Sequence, residues 1–90
     1  SSGYSTAALY WLANAQYGKR DYKDAIPSFR ALVAAAPDHP RAPEALLSIA
    51  NCQLELKDTK SARRTLDELL KNYPKSEAAQ AGRERLASLK

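Results

Sequence analysis

The sequence predicts an all-α fold made of stacked helix pairs, and three observations carry that prediction. The first is an internal repeat: Ala25, Phe29, Leu32, Val33 and Pro37 return 37 residues later as Ala62, Leu66, Leu69, Leu70 and Pro74. The same offset relates Leu9 to Leu46, Leu12 to Ile49, Ala13 to Ala50, Asn14 to Asn51, Gln16 to Gln53 and Asp21 to Asp58. The second is spacing. Inside each unit the apolar residues recur every three or four positions, which places them on one helix face, and a period of this length with that spacing marks a stacked repeat. The third is size. Ninety residues form one small domain that buries only about 60 to 65% of the surface of its unfolded chain. A stacked array suits so thin a core, because each pair lends its apolar face to the next.

The first helix is read from about Ser5 to Gly18, on the series Leu9, Leu12, Ala13 and Gln16, with Gly18 as its stop. Asp21 is placed to cap the second helix, and Asp24 three residues on favours its positive end. That helix runs to about Ala35. Pro27 lies beyond the first turn, where it deletes a backbone donor, so a late start or a kink is expected there. Pro37, Pro40 and Pro43 punctuate the link that follows, and Pro43 fits only the first turn of a third helix over about Arg41 to Leu56.

Asp58 repeats the capping position of Asp21. The fourth helix carries Ala62, Leu66, Leu69 and Leu70 on one face and Arg63, Arg64, Asp67, Glu68 and Lys71 on the other. Asn72, Tyr73 and Pro74 end it. Ser76 caps a fifth helix with Ala79, Leu86 and Leu89 on its apolar side and Arg83, Glu84 and Arg85 interrupting it, as a terminal cap requires where it meets water. At the other end Tyr4, Tyr10, Trp11 and Tyr17 have no preceding repeat to cover them. Ser1 to Gly3 read as a linker end or a cloning remnant. The domain is thus 4–90, with one repeat over about 5–37, a second over about 42–74 and the capping helix over about 76–89.

Fourteen Lys and Arg against ten Asp and Glu, interspersed, give a net charge of +4 and a solvated surface. One cysteine, Cys52, excludes an internal disulfide. No run of about 18 apolar residues and no charged-then-apolar leader is present, so neither a membrane span nor a signal peptide is read. Catalysis finds no support. His39 is the lone histidine, in a proline-rich link without partners at ligand spacing, and reads as a loop residue. Cys52 falls where Ala15 falls in the first repeat, a small position between helices, and reads as packing. Asp67, Glu68 and Glu84 read as solvated carboxylates. Gly3, Gly18 and Gly82 are too far apart for a phosphate loop. No cofactor and no metal are expected, and the chain reads as a non-enzyme.

Leu12, Ala13, Asp21, Tyr22, Ala25, Phe29 and Pro37 resemble the tetratricopeptide repeat signature, a helix-turn-helix unit normally about 34 residues long. Here three residues are added per repeat, Leu9 and Leu46 hold the usual tryptophan place, and Gln16 and Gln53 hold the usual tyrosine place. The implied fold is a right-handed superhelix of antiparallel helix pairs, two repeats and a C-terminal capping helix. More closely, Tyr10-Trp11-Leu12, the link from Pro37 to Pro43, Cys52 to Leu56 and Tyr73 to Ser76 resemble the carboxy-terminal domain of the Tol-Pal accessory family, YbgF or cell division coordinator CpoB. That resemblance covers Tyr4 to Lys90. It implies a periplasmic protein whose partners are TolA and a peptidoglycan synthase, in coordinating septal peptidoglycan synthesis with envelope constriction.

Stacked helix pairs offer a concave surface lined by the first helix of each pair. If Leu9, Leu12 and Ala13 face the second helix, then Tyr10, Asn14 and Tyr17 form the stripe beside them, and Leu47, Asn51 and Leu54 form its copy. A carboxamide flanked by aromatic and aliphatic residues suits a partner's main chain. These six residues are the expected partner-binding site. Relatives that bind chaperone tails carry a basic residue one turn before the asparagine, where Tyr10 and Leu47 stand, so a carboxylate clamp is not expected. Two other classes are weighed. Self-association through Tyr4, Tyr10 and Trp11 would make the chain a structural homo-oligomer. Nucleic-acid binding needs Lys and Arg gathered on one face, and the expected groove holds none.

Overall fold

The computed structural model of the chain describes residues 5–89. Among them are five helices, α1 (Thr6–Gly18), α2 (Tyr22–Ala35), α3 (Ala42–Glu55), α4 (Thr59–Asn72) and α5 (Glu77–Ser88), and no strand. The fold is the all-α helical-repeat superhelix that the sequence predicts. Successive helices pack on one another and α3 also packs on α5, in a molecule measuring 41 × 27 × 17 Å. Tyr4, part of the expected edge, lies outside the described residues, as do Ser1 to Gly3 and Lys90.

The helix ends follow from side-chain chemistry, with one departure from expectation. Ser5, Asp58 and Ser76 each accept a hydrogen bond from the backbone N–H three residues on, at 3.1, 3.2 and 3.0 Å. The hydroxyl and then the N–H of Ser61 hold the Asp58 carboxyl below its usual range. Asp21, the expected cap of α2, makes no such bond. The residue at the third helical position differs: Ser61 supplies a donor in α4, whereas Asp24 in α2 brings a second carboxylate into the same turn. α1 ends at Gly18 as expected, although the glycine does not itself make the turn. Arg20 and its counterpart Lys57 adopt left-handed φ values of 63° and 67°, and the following Asp21 and Asp58 donate 2.8 Å bonds to Gln16 and Gln53. Those left-handed residues turn each first helix into its second.

Pro27 causes no late start. α2 begins five residues before it and runs on to Ala35, with Pro27 on the exposed side. The backbone donor that Pro27 lacks is thus lost within a helix that continues past it. Pro43 lies in the first turn of α3 as expected.

The core is formed where α2 and α4 meet α3. Phe29, Leu32, Leu46, Ile49, Leu66 and Leu69 are essentially inaccessible, and so are the paired small residues Ala13 and Ala50, Ala25 and Ala62. At Gly82 an added Cβ would stand 3.0 Å from Leu69 Cδ2, so α5 lies close on α4 there and an alanine would press on the end of the Leu69 side chain. Polar ties obey the repeat as well. Ser28 donates to Gln16 Oε1 at 2.6 Å, and 37 residues on Thr65 donates to Gln53 Oε1 at 2.8 Å. Both hydroxyls also reach back to the carbonyl four residues earlier. The glutamines standing at the usual tyrosine place thus bind the two helices of each pair by hydrogen bond. Glu68, expected as plain solvated surface, instead pairs with Arg30 through both oxygens at 2.9 and 3.0 Å, joining α4 to α2. Tyr73 donates to the Pro37 carbonyl at 2.6 Å.

α1 is unlike the other helices because it contains no charged residue from Thr6 to Gly18. A helix apolar all round is built to be covered on both sides. One side meets α2. On the other, Leu12 is 38% exposed and Trp11 70% exposed, and Ala15 is open. One repeat later Ala45, Ile49 and Cys52 occupy the places of Ala8, Leu12 and Ala15 and are shut off from solvent. Leu12 is thus left partly open where Ile49 is closed off one repeat later, and is less completely covered than the sequence reading supposed.

Candidate partner-binding groove

The six residues of the expected site divide into two unequal halves. On α1, Tyr10, Asn14 and Tyr17 are partly buried. Tyr17 stands edge-on to Phe29 at 6.2 Å and to Tyr22 at 5.8 Å, so much of its ring belongs to the core. Tyr10 meets Trp11 edge-on at 6.0 Å. Asn14 Nδ2 donates to the Tyr10 carbonyl at 2.8 Å, which commits one donor to its own helix. On α3, Leu47 packs against the core. Leu54 is partly exposed and lies outside the core cluster. The two stripes are less close than side-by-side stacking implies, because α3 packs on α5 whereas α1 has no comparable packing on α3.

Asn51 differs from Asn14 in an instructive way. Its Oδ1 is buried and has no hydrogen-bond donor. An unpaired buried carbonyl costs about 1 to 3 kcal/mol. Asn14 displays the satisfied arrangement, with Nδ2 turned to its own helix. The same turn at Asn51 would present Oδ1 to an incoming N–H.

Arg41 is a groove residue that the sequence reading missed. Its guanidinium lies 5.4 Å from the centre of the Tyr10 ring and donates to both oxygens of Glu44 at 3.1 and 3.2 Å. A cation thus sits at the groove that was expected to hold none. The signal lay in the link: Arg41 directly precedes α3, and its backbone N–H is fixed by a 3.0 Å bond to His39 Nδ1. His39 accordingly serves the loop. Beyond it, a cleft of about 400 Å³ opens between the amino-terminal halves of α3 and α5, lined by Pro40, Pro43, Glu44, Leu47, Ser76, Glu77, Ala78 and Ala81.

No group of three or more His, Cys, Asp and Glu among the described residues is placed to hold a metal ion. Cys52 is fully buried, and burial pushes its thiol up to about 11. The folded state thereby favours the protonated thiol. That contribution to stability is whole below about pH 9, the ordinary value, and is lost as pH rises toward 11. At pH 8 Cys52 is expected to resist Ellman's reagent in the native protein and to react at once in 6 M guanidinium. Native reaction as fast as that of free cysteine would place the thiol at the surface.

Paired helices that carry a partly open stripe of apolar residues and amides make up a helical-repeat scaffold. The sequence profile of the tetratricopeptide repeat family matches residues 10–77. The chain belongs to that family, whose repeats generally mediate protein–protein interaction. No curated protein sequence matches the chain.

Proposed function

We propose that this chain is a non-enzymatic interaction module that holds a peptide or helix of a partner protein along Tyr10, Asn14, Tyr17, Leu47, Asn51 and Leu54. The observation that carries the reading is the Asn51 carboxamide between two aliphatic side chains on one helix face, whose buried Oδ1 has no donor in the free protein and gains one when the amide turns outward. A partner N–H relieves the unpaired carbonyl while Leu47 and Leu54 receive apolar side chains. By the resemblance, the partner is TolA and, with it, a peptidoglycan synthase, in the periplasm, where the module takes part in coordinating envelope constriction. Calorimetric titration with TolA tests both levels of the reading. Asn51→Ala is expected to weaken binding by about 1 to 3 kcal/mol without loss of folding stability, since the free protein has no bond there to lose. Lys71→Ala and Arg64→Ala, on the opposite face, are expected to change affinity by less than about 1 kcal/mol. Loss confined to the latter two would remove the groove as the site.

A second reading is favoured by one observation, the open outer face of α1. Ala8, Trp11, Leu12 and Ala15 would cover one another in a self-associated pair, which makes the domain a structural oligomer. Sedimentation equilibrium decides it: a monomer at 100 μM excludes this reading, and a dimer abolished by Trp11→Glu supports it.

A further inference from the structure

The net charge is not shared between the repeats. Residues 1–55 hold five Lys and Arg and five Asp and Glu, so the whole +4 lies in residues 56–90. Much of it gathers on the outer side of α4, where Lys60, Arg63, Arg64 and Lys71 are all exposed. Lys60, Arg64 and Lys71, four and seven residues apart, share one stripe about 16 Å long, and Arg63 flanks it. The stripe is no property of the repeat itself. Thirty-seven residues earlier the places of Arg63, Arg64 and Lys71 hold Ile26, Pro27 and Ala34.

Most carboxylates that could offset these cations are engaged elsewhere. Glu68 is held by Arg30 of α2 at 2.9 and 3.0 Å, and Asp58 accepts the Ser61 N–H at the helix start. On α4 only Asp67 remains, and none of the four cations has a carboxylate within ion-pair reach among the described residues. The guanidiniums of Arg63 and Arg64 are instead directed onto neutral oxygens, the Leu89 carbonyl and the Ser61 hydroxyl. These contacts hold the two heads beside the helix and leave their charge unmatched.

We infer that the outer face of α4 is a docking surface for an acidic segment of a partner protein, separate from the groove. The partner's chemistry follows from charge complementarity along the row. A helical segment with carboxylates three or four residues apart matches the spacing of Lys60, Arg64 and Lys71. A nucleic acid fits less well. Asp67 stands inside the row against a continuous phosphate chain, and α4 has no aromatic side chain on which bases could stack.

The test is fluorescence anisotropy with a labelled alanine peptide carrying glutamate at every fourth position, and with its glutamine counterpart. In 0.1 M salt the Debye length is about 10 Å, so distant charges are screened and local pairs decide. There the Glu peptide is expected to bind about fivefold more tightly than the Gln peptide, the joint effect of several exposed charge contacts. In 1 M salt the ratio is expected to approach one. Arg64→Gln with Lys71→Gln is expected to cut the ratio in 0.1 M salt to about twofold. Lys19→Gln with Lys23→Gln removes the same charge from exposed places in the first repeat and is expected to leave the ratio as it was. Asn51→Ala, in the groove, is expected to do the same. A ratio of one in 0.1 M salt, an equal fall or no fall in the two double variants, or a fall with Asn51→Ala overturns the inference. So does a labelled thymidine oligonucleotide that binds more tightly than the Glu peptide.

Discussion

Ile49→Ala is expected to lower the unfolding free energy by about 2 to 5 kcal/mol, while Leu12→Ala, at the same place one repeat earlier, is expected to cost about 1 kcal/mol or less. Ile49 is fully buried and Leu12 is 38% exposed. Truncating Ile49 leaves a hole that α2 and α3 must line, because neighbours on both sides fix the space. Truncating Leu12 removes surface that water already reaches. A domain of this size has on the order of 5 to 15 kcal/mol in hand, so the Ile49 variant should show a clearly lower urea midpoint with an unchanged slope. Equal losses in the two variants would mean that the outer face of α1 is covered in solution.

Tyr17→Ala is expected to cost about 2 to 4 kcal/mol of stability, whereas Leu54→Ala, its repeat counterpart, costs less than about 1. The difference lies in the edge-on contacts of Tyr17 with Phe29 and Tyr22, which Leu54 has no equivalent of in the core cluster. Thermal unfolding measures the first effect. For binding, the order of interpretability reverses: Leu54→Ala reports on the groove alone, and Tyr17→Ala reports on groove and fold together. A Tyr17→Ala protein as stable as the parent would show that the ring serves the surface only.

The architecture was legible because repeat offset and helical spacing are properties of the sequence itself. Helix ends were less so. Asp21 and Asp58 look alike in sequence, yet only Asp58 caps, since the outcome depends on whether Asp24 or Ser61 stands three residues on. The turn at Arg20 and Lys57 was hidden because a left-handed φ is usually read from glycine, and here two cations adopt it. The hydroxyl–amide ties of Ser28 with Gln16 and of Thr65 with Gln53 were within reach, as both pairs obey the offset. Of the groove, the identity of the stripe followed from spacing, but its division did not. That division depends on contacts between distant residues, Arg41 with Tyr10 and Tyr17 with Phe29, which no local pattern encodes.

The packing order also decides which parts of the molecule open together. α3 touches α2, α4 and α5, whereas α1 packs on α2 and no other helix holds it comparably. Opening of α1 therefore exposes one interface, but opening of α3 dissolves three. Amide protons of α3, among them those of Ile49 and Ala50, should exchange with deuterium only through global unfolding, while those of α1 escape through a cheaper, local excursion. The asymmetry matters to a ligand. A segment lying on α3 binds the part of the chain that is ordered whenever the protein is folded at all, and contact with Tyr10 or Asn14 then draws α1 out of its frayed population, so binding at one end slows exchange at the other.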